Sequence, residues 1–284
     1  MRVVTKYSTK IKVTILLEIK KIELIKLEKN QIDKESDPEI SIWLDYLIEP
    51  SLFKTFVDHC NKIRAGRNSD DALLDIIKSI TKETENIWSN MKLDAPSFDC
   101  HKGCSWCCHQ SVSVTWPELM LIALSIRENL DVNQIVDLKK RSERKSEGIL
   151  EKFNKDTVSS FHKIPCMFLE NGICSIHSAR PLQCRGGFSE DKYYCKSLLE
   201  DTEVTQSAVS SGELKGKFLI IPKLIYNTAQ VALTHIMQNM GMKGKTYELT
   251  VAISILITKI QNGELDAVTE KDLDLALLPK NFNV

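Results

Sequence analysis

Four thiols fall within the run Cys100-His101-Lys102-Gly103-Cys104-Ser105-Trp106-Cys107-Cys108, and Cys166, Cys174, Cys184 and Cys195 answer them later in the chain. Eight of the nine cysteines thus form two groups with 57 residues between them. No secretory signal is expected ahead of them: the apolar stretch Ile15-Leu16-Leu17 stops at Glu18, and no small-residue cleavage pattern follows. In the reducing cytoplasm that this implies, thiols stay available as ligands. The grouping therefore reads first as a metal or iron–sulfur site and only second as a disulfide framework.

The short gaps between Cys100, Cys104 and Cys107 let successive thiolates turn onto one centre, with Gly103 allowing a tight bend just before Cys104. Cys107 and Cys108 are harder to use together, because adjacent side chains usually point apart. One of the pair is expected to serve the main site, while the other meets a second site or packs behind the first. The second group is set by turns: Pro165 precedes Cys166, Gly172 leads to Cys174, and Pro181 stands three residues before Cys184. One composite site or two adjacent sites are both compatible with eight thiols.

Zinc takes four thiolates in a closed tetrahedron, whereas a cubane iron–sulfur cluster takes the same ligands and can keep one iron open. Spacing does not choose between them. Either centre carries excess negative charge, and Arg180, Arg185 and Lys102 are close enough in sequence to offset it or to donate to sulfur. His101, His109 and His177 could replace a thiol, although cysteines already suffice. Cys60 differs from the rest. It shares an apolar stripe with Phe53, Phe56, Val57 and Ile63, which places it in a core.

Around these groups the expected fold is mostly α, a helical body with an irregular cysteine-rich metal-binding insert. A basic extension over 1–35 precedes a helical region at 36–97. The cysteine region, 98–197, contains two intervening helices, and a helical region at 198–284 packs with the rest as one domain. Asn61 to Asp71 is taken as a connection. Thr115-Trp116-Pro117-Glu118 has the form of a helix start, Asp131 caps the next helix toward Phe153, and Thr269 with Asp272 caps a last short one ending near Pro279. Residues 161–197 read as short turns with little core of their own, for which metal ligation would compensate.

Charge narrows the partners. With 38 basic and 38 acidic residues the chain balances, so no strong nucleic-acid signal arises, and the run from Lys139 to Lys145 reads as a solvated helix face. No stretch approaches the roughly 18 to 20 apolar residues of a transmembrane segment. A protein substrate or a redox partner is the partner class left open. No acid–base or nucleophile constellation stands outside the cysteines, so no catalytic residue is assigned.

The cysteine blocks, together with Pro165-Cys166-Met167-Phe168-Leu169, Gly172-Ile173-Cys174-Ser175-Ile176-His177 and Arg180-Pro181-Leu182-Gln183-Cys184-Arg185, resemble the YkgJ-type cysteine-cluster family, a zinc- or iron-chelating domain. The likeness covers about residues 98 to 197, and His177 stands where tyrosine is usual. It implies metal chelation by the cysteines and no general reaction. The cysteine block is also similar to that of flagellin lysine N-methylases, which implies a second reading: an iron–sulfur-dependent methyltransferase using S-adenosylmethionine on protein lysine. No glycine-rich loop marks an ordinary methyl-donor pocket, and no strand–helix succession suggests a radical-enzyme barrel. A third reading is a helical interaction protein with structural zinc.

Overall fold

The computed structural model describes residues 50–67, 69–92, 95–153 and 162–278; the basic extension, the start of the first helical region and Pro279 lie outside them. Helix α1 (Pro50–Arg64) buries Leu52, Phe56 and Cys60, spaced by four so that they share one face. Helix α2 (Asp70–Met91) starts at Ser69, whose side chain accepts from the Ala72 N–H. The connection is shorter than expected, since α1 continues to Arg64 before a turn with left-handed Ala65 and Gly66.

Strand β1 (Ser113–Thr115) leads into α3 (Trp116–Asn129) through the expected capping box of Thr115 and Glu118. The Asp131 side chain accepts from the Gln134 N–H and so caps α4 (Val132–Phe153). Further along, β2 (Leu169–Glu170) and β3 (Ile173–Cys174) form a hairpin, followed by the short α5 (Leu182–Gly186), α6 (Lys192–Glu200) and α7 (Thr202–Ser210). The long α8 (Ile220–Asn239), strand β4 (Thr246–Glu248) and α9 (Leu249–Gln261) come next. A 3-10 turn at Glu270–Ala276 carries the expected Thr269/Asp272 box.

Two adjoining cores result. In one, α1 and α2 pack on α8 through Phe56, Ile76, Ile80, Ile225, Leu233 and Ile236. In the other, α3 and α4 pack on α9 through Leu119, Ile122, Leu138, Ile253 and Leu256. Each such side chain contributes about 1.5–3 kcal/mol by leaving water. Leu121 and Met240 touch both cores. Strands β1 and β4 pair antiparallel, Ser113 opposite Glu248, and tie the start of α3 to the start of α9. Among the described residues no helix is long and apolar enough to cross a membrane.

Three expectations need correction. Residues 161–197 are not only turns: α6 forms because Asp191 accepts from the Tyr193 N–H while Tyr194, Cys195 and Leu198 bury one side. Nor does this segment lack a core, since Met167, Phe168 and Ile176 enter the α3–α4–α9 cluster. The charged run of α4 is solvated at Lys140, Glu143 and Arg144, but Ser142 and Lys145 turn inward and are buried.

Candidate metal centre

The first cysteine group is shaped by backbone hydrogen bonds. Cys104 N–H donates to His101 O (3.0 Å) around Gly103, whose φ of +94° favours a residue without a side chain. A single 3-10 turn, Trp106–His109, then carries Cys107 and Cys108. Cys100 is held from the other side: Ser189 N–H donates to its Sγ at 3.3 Å, while Asp99 N–H donates to Ser189 O at 3.0 Å.

The second group is brought against the first by main chain as well as side chain. Cys166 N–H donates to Cys108 O (2.7 Å), and His162 N–H donates to His109 O (2.8 Å). In the hairpin, Asn171 and Gly172 both have positive φ, the Asn-Gly turn that suits twisted strands, and Cys174 follows on β3. Gly172 sits directly on the first group's bend, where an added Cβ would lie 3.6 Å from Gly103 O. Cys184 is placed by α5, which can approach α8 because Gly186 has no side chain; a Cβ there would meet Pro222 O at 3.2 Å.

A buried carboxylate joins these pieces to the body. Glu118 accepts from Thr115 N–H and Oγ1–H (2.7 Å each), from Leu182 N–H (2.8 Å) and from Gln230 Nε2–H (3.1 Å). Gln183 Oε1 and Gln230 Nε2 grip Ser113 by its N–H and its C=O. Burial raises the Glu118 pKa, and its donors oppose that. The start of α5, and with it Cys184, is thus fixed to β1, α3 and α8.

The result is a cavity of about 750 Å³ lined by Cys100, Cys104, Cys107, Cys108, Cys166, Cys174 and Cys184. Cys195 is not on its wall; it is buried on α6, behind Cys100 and close to Ser189. Cys107 and Cys108 both line the cavity, and Cys107 is exposed. The adjacent Cys108 thiol, more than any loss of water contact, holds Cys107 well above the ordinary thiol range. Burial also raises Cys100, Cys166, Cys174 and Cys184, and pushes Cys195 up to about 11. Cys60 is enclosed in the α1–α2–α8 core as expected.

The flanking charges divide unequally. Arg185 is buried and spends its donors on oxygen, reaching Arg180 O (2.9 Å), Ser178 O (2.6 Å) and the Glu85 carboxylate. Arg180 lines the cavity, and its Nε is buried with no hydrogen-bond partner among the described residues. Its charge acts against the raised pKa of Cys107, Cys174 and Cys184. The Arg180 guanidinium, and then burial, lower the His177 pKa. His101 and Lys102 are at the exposed rim, where His101 Nδ1 meets Asp99 O at 2.6 Å. His109 Nδ1 meets His162 O at 3.0 Å, within the pairing of the two segments.

The donor set suits a thiophilic metal, and an unpartnered buried N–H on the wall suits an anionic thiolate centre. Yet among the described residues no group of three or more His, Cys, Asp or Glu side chains stands where it could hold one metal ion. The thiols ring a space and do not converge on a point. Sequence reasoning missed Glu85, Glu118 in its second role, Gln230, and the α8 residues Lys223 and Asn227 that line the cavity. The Asn171-Gly172 dipeptide was a legible signal for the hairpin; the others had none.

No curated protein and no solved structure matches the chain, so nothing supports the likeness to flagellin lysine N-methylases. In this chain three residues, not two, separate the first two cysteines of the block. Residues 99–203, which include α3 and α4 of the second core, match the CxxCxxCC family, described as a putative zinc- or iron-chelating domain.

Proposed function

We propose that the chain is a metal-binding protein whose thiolates, drawn from both cysteine groups, ligate an iron–sulfur cluster, with zinc as the alternative metal. The observation that carries this reading is the cavity on which seven of the eight grouped cysteines open. Zinc requires four donors about 2.3 Å from one point, and among the described residues no such grouping exists as the side chains stand. A polynuclear cluster presents its irons at separate corners, so its ligands begin further apart and need less movement. When bound, such a cluster supplies electron transfer, or an open iron for a ligand.

The chain's own residues divide into two sets around Cys107 and Cys108. Cys100, Cys104 and Cys195 neighbour one another electrostatically, as do Cys166, Cys174 and Cys184, and Cys107 is felt by members of both sets. Either set, completed by one of the adjacent pair, would supply four thiolates only after its side chains move together. Arg180 would offset the charge, while Arg185, held by Glu85, fixes the backbone around Cys184.

Anaerobic purification followed by metal and acid-labile sulfide analysis, with absorption and Mössbauer spectra, tests the reading. Iron and sulfide in whole-number ratio to protein are expected. Stoichiometric zinc without sulfide would replace the cluster by the alternative, and protein that neither contains nor takes up either metal would sink both.

A further inference from the structure

One cation is enclosed in the second core. Lys145 lies in the most charged run of the sequence, yet it is 2% exposed, because α4 turns Leu138, Ser142, Lys145, Ser146 and Ile149 inward at helical spacing. Leu138 and Ile149 belong to the core cluster on which Cys166 packs. The hairpin that carries Cys174 is fastened to the same helix, since Arg141 meets Glu170 of β2 at 2.7 Å. The inward face of α4 therefore backs the second cysteine group. An ammonium kept there is costly unless an anion accompanies it.

Glu248 is one such anion. It is 0% exposed and caps α9, its Oε2 accepting from the Val251 N–H at 2.9 Å, while its Oε1 is buried with no hydrogen-bond partner among the described residues. Burial raises the Glu248 pKa, and the Val251 N–H and the Lys145 ammonium oppose that rise. The next residue, Leu249, is on the cavity wall and donates its N–H to Val112 O at 2.9 Å, so this carboxylate stands directly behind the wall. Cys166 is the second group. Burial raises its pKa, and Lys145 is the strongest influence against the rise. Arg180 acts on Cys107, Cys174 and Cys184, whereas the leading cation at Cys166 is Lys145.

We infer that Lys145 is a positioning residue of the metal centre, a fixed internal cation anchored by Glu248 that balances the Cys166 thiolate when metal is bound. It acts through Cys166 and touches no metal itself. This role rests on Cys166 being a ligand, as the proposed function has it, and extends the centre into the helical body. A purely structural Lys145–Glu248 pair would behave differently, because both partners would then matter alike. A counter-charge to the thiolate makes them opposed: Lys145 favours the ligating form of Cys166 and Glu248 disfavours it.

The test is removal of bound metal from the anaerobically purified full chain by increasing EDTA over a fixed time, with zinc and iron measured on each sample. Lys145→Met should release its metal at an EDTA concentration at least about tenfold lower than the parent, the usual cost of losing an outer-shell partner. Glu248→Gln keeps an acceptor for the Val251 N–H and leaves Lys145 unopposed, so it should hold metal at least as tightly as the parent. Each single variant leaves one buried charge without its partner and should lower the urea midpoint, so stability alone would loosen metal in both. Lys140→Met, on the solvated side of the same helix, should match the parent. If Lys145→Met does not fold, the double variant Lys145→Met/Glu248→Gln, which buries neither charge, should still release metal earlier than the parent. Undiminished retention without Lys145, or equal loosening in the two single variants, would overturn the role of Lys145 and leave the metal centre standing. A parent chain that neither contains nor takes up metal would sink the proposed function, and this role with it.

Discussion

Cys60 and Cys104 are the same residue type in two different settings. Cys60 is 0% exposed among Phe56, Ile76 and Ile225 and behaves as a small apolar side chain, its pKa pushed up to about 12 by burial. Cys104 opens on a cavity whose walls are short turns, a hairpin and the first two turns of α8. The body is held by faces of long helices, so its packing repeats every turn and is insensitive to any single polar bond. The cysteine-bearing segment is held by particular hydrogen bonds, including those of Glu118, Gln183 and Ser189. Nonpolar burial alone builds one region; in the other, polar satisfaction sets the cysteines in place beside the core contacts of Met167, Phe168 and Ile176.

The largest expected effect separates the two kinds of cysteine. Cys104→Ser should weaken metal retention by at least about 100-fold, more than the loss of an outer-shell partner, whereas Cys60→Ser should leave metal content unchanged. Equal metal loss in the two proteins would erase the distinction. Next, Phe56→Ala should lower stability by about 3–5 kcal/mol in urea denaturation, yet the folded fraction should keep its metal. Metal lost in step with this core change would mean that the two regions are not separable.

A smaller effect falls on the joint between them. Glu118→Gln puts an amide N–H where donors already converge, and should remove about 2–3 kcal/mol while speeding hydrogen exchange at the Leu182 amide. Unchanged exchange at that amide would show that the carboxylate does not fix α5. The smallest is a pH dependence. The folded Cys60 thiol keeps its proton to about 12, against 9.0 for an ordinary thiol, so the unfolded chain gains by ionising first. Stability present below pH 9 is therefore lost as pH rises toward 12, and Cys60→Ala should flatten the decline by about 1 kcal/mol per pH unit. Parallel curves for the two proteins between pH 9 and 10.5 would contradict the buried setting.

Much of the body was legible because its signals are local. Thr115 with Glu118, Asp131, and Thr269 with Asp272 each announce a helix start within four residues, and the apolar period along α8 and α9 needs no partner to be read. The convergence of the cysteine groups on one centre was expected from their clustering; seven of them line one cavity, but among the described residues no three stand where they could hold one ion. The hidden parts depend on distant pairings. Strand β1 finds β4 across most of the domain, and three-residue strands leave no period to detect. Helix α6 escaped notice because it is nine residues long and Tyr193 breaks its apolar face. Lys145 lies within a run of charges, and only the packing of α4 on α9 turns it inward.

The bonds from Cys166 to Cys108 and from His162 to His109 close the long excursion through α3 and α4 by main chain, and the His109 ring adds to the closure. The entropy of bringing distant ligands together is therefore met during folding, before any ion arrives. Under the proposed function, metal capture would then be a local adjustment of thiols on a preassembled frame. A chain stripped of its metal should accordingly refill without refolding.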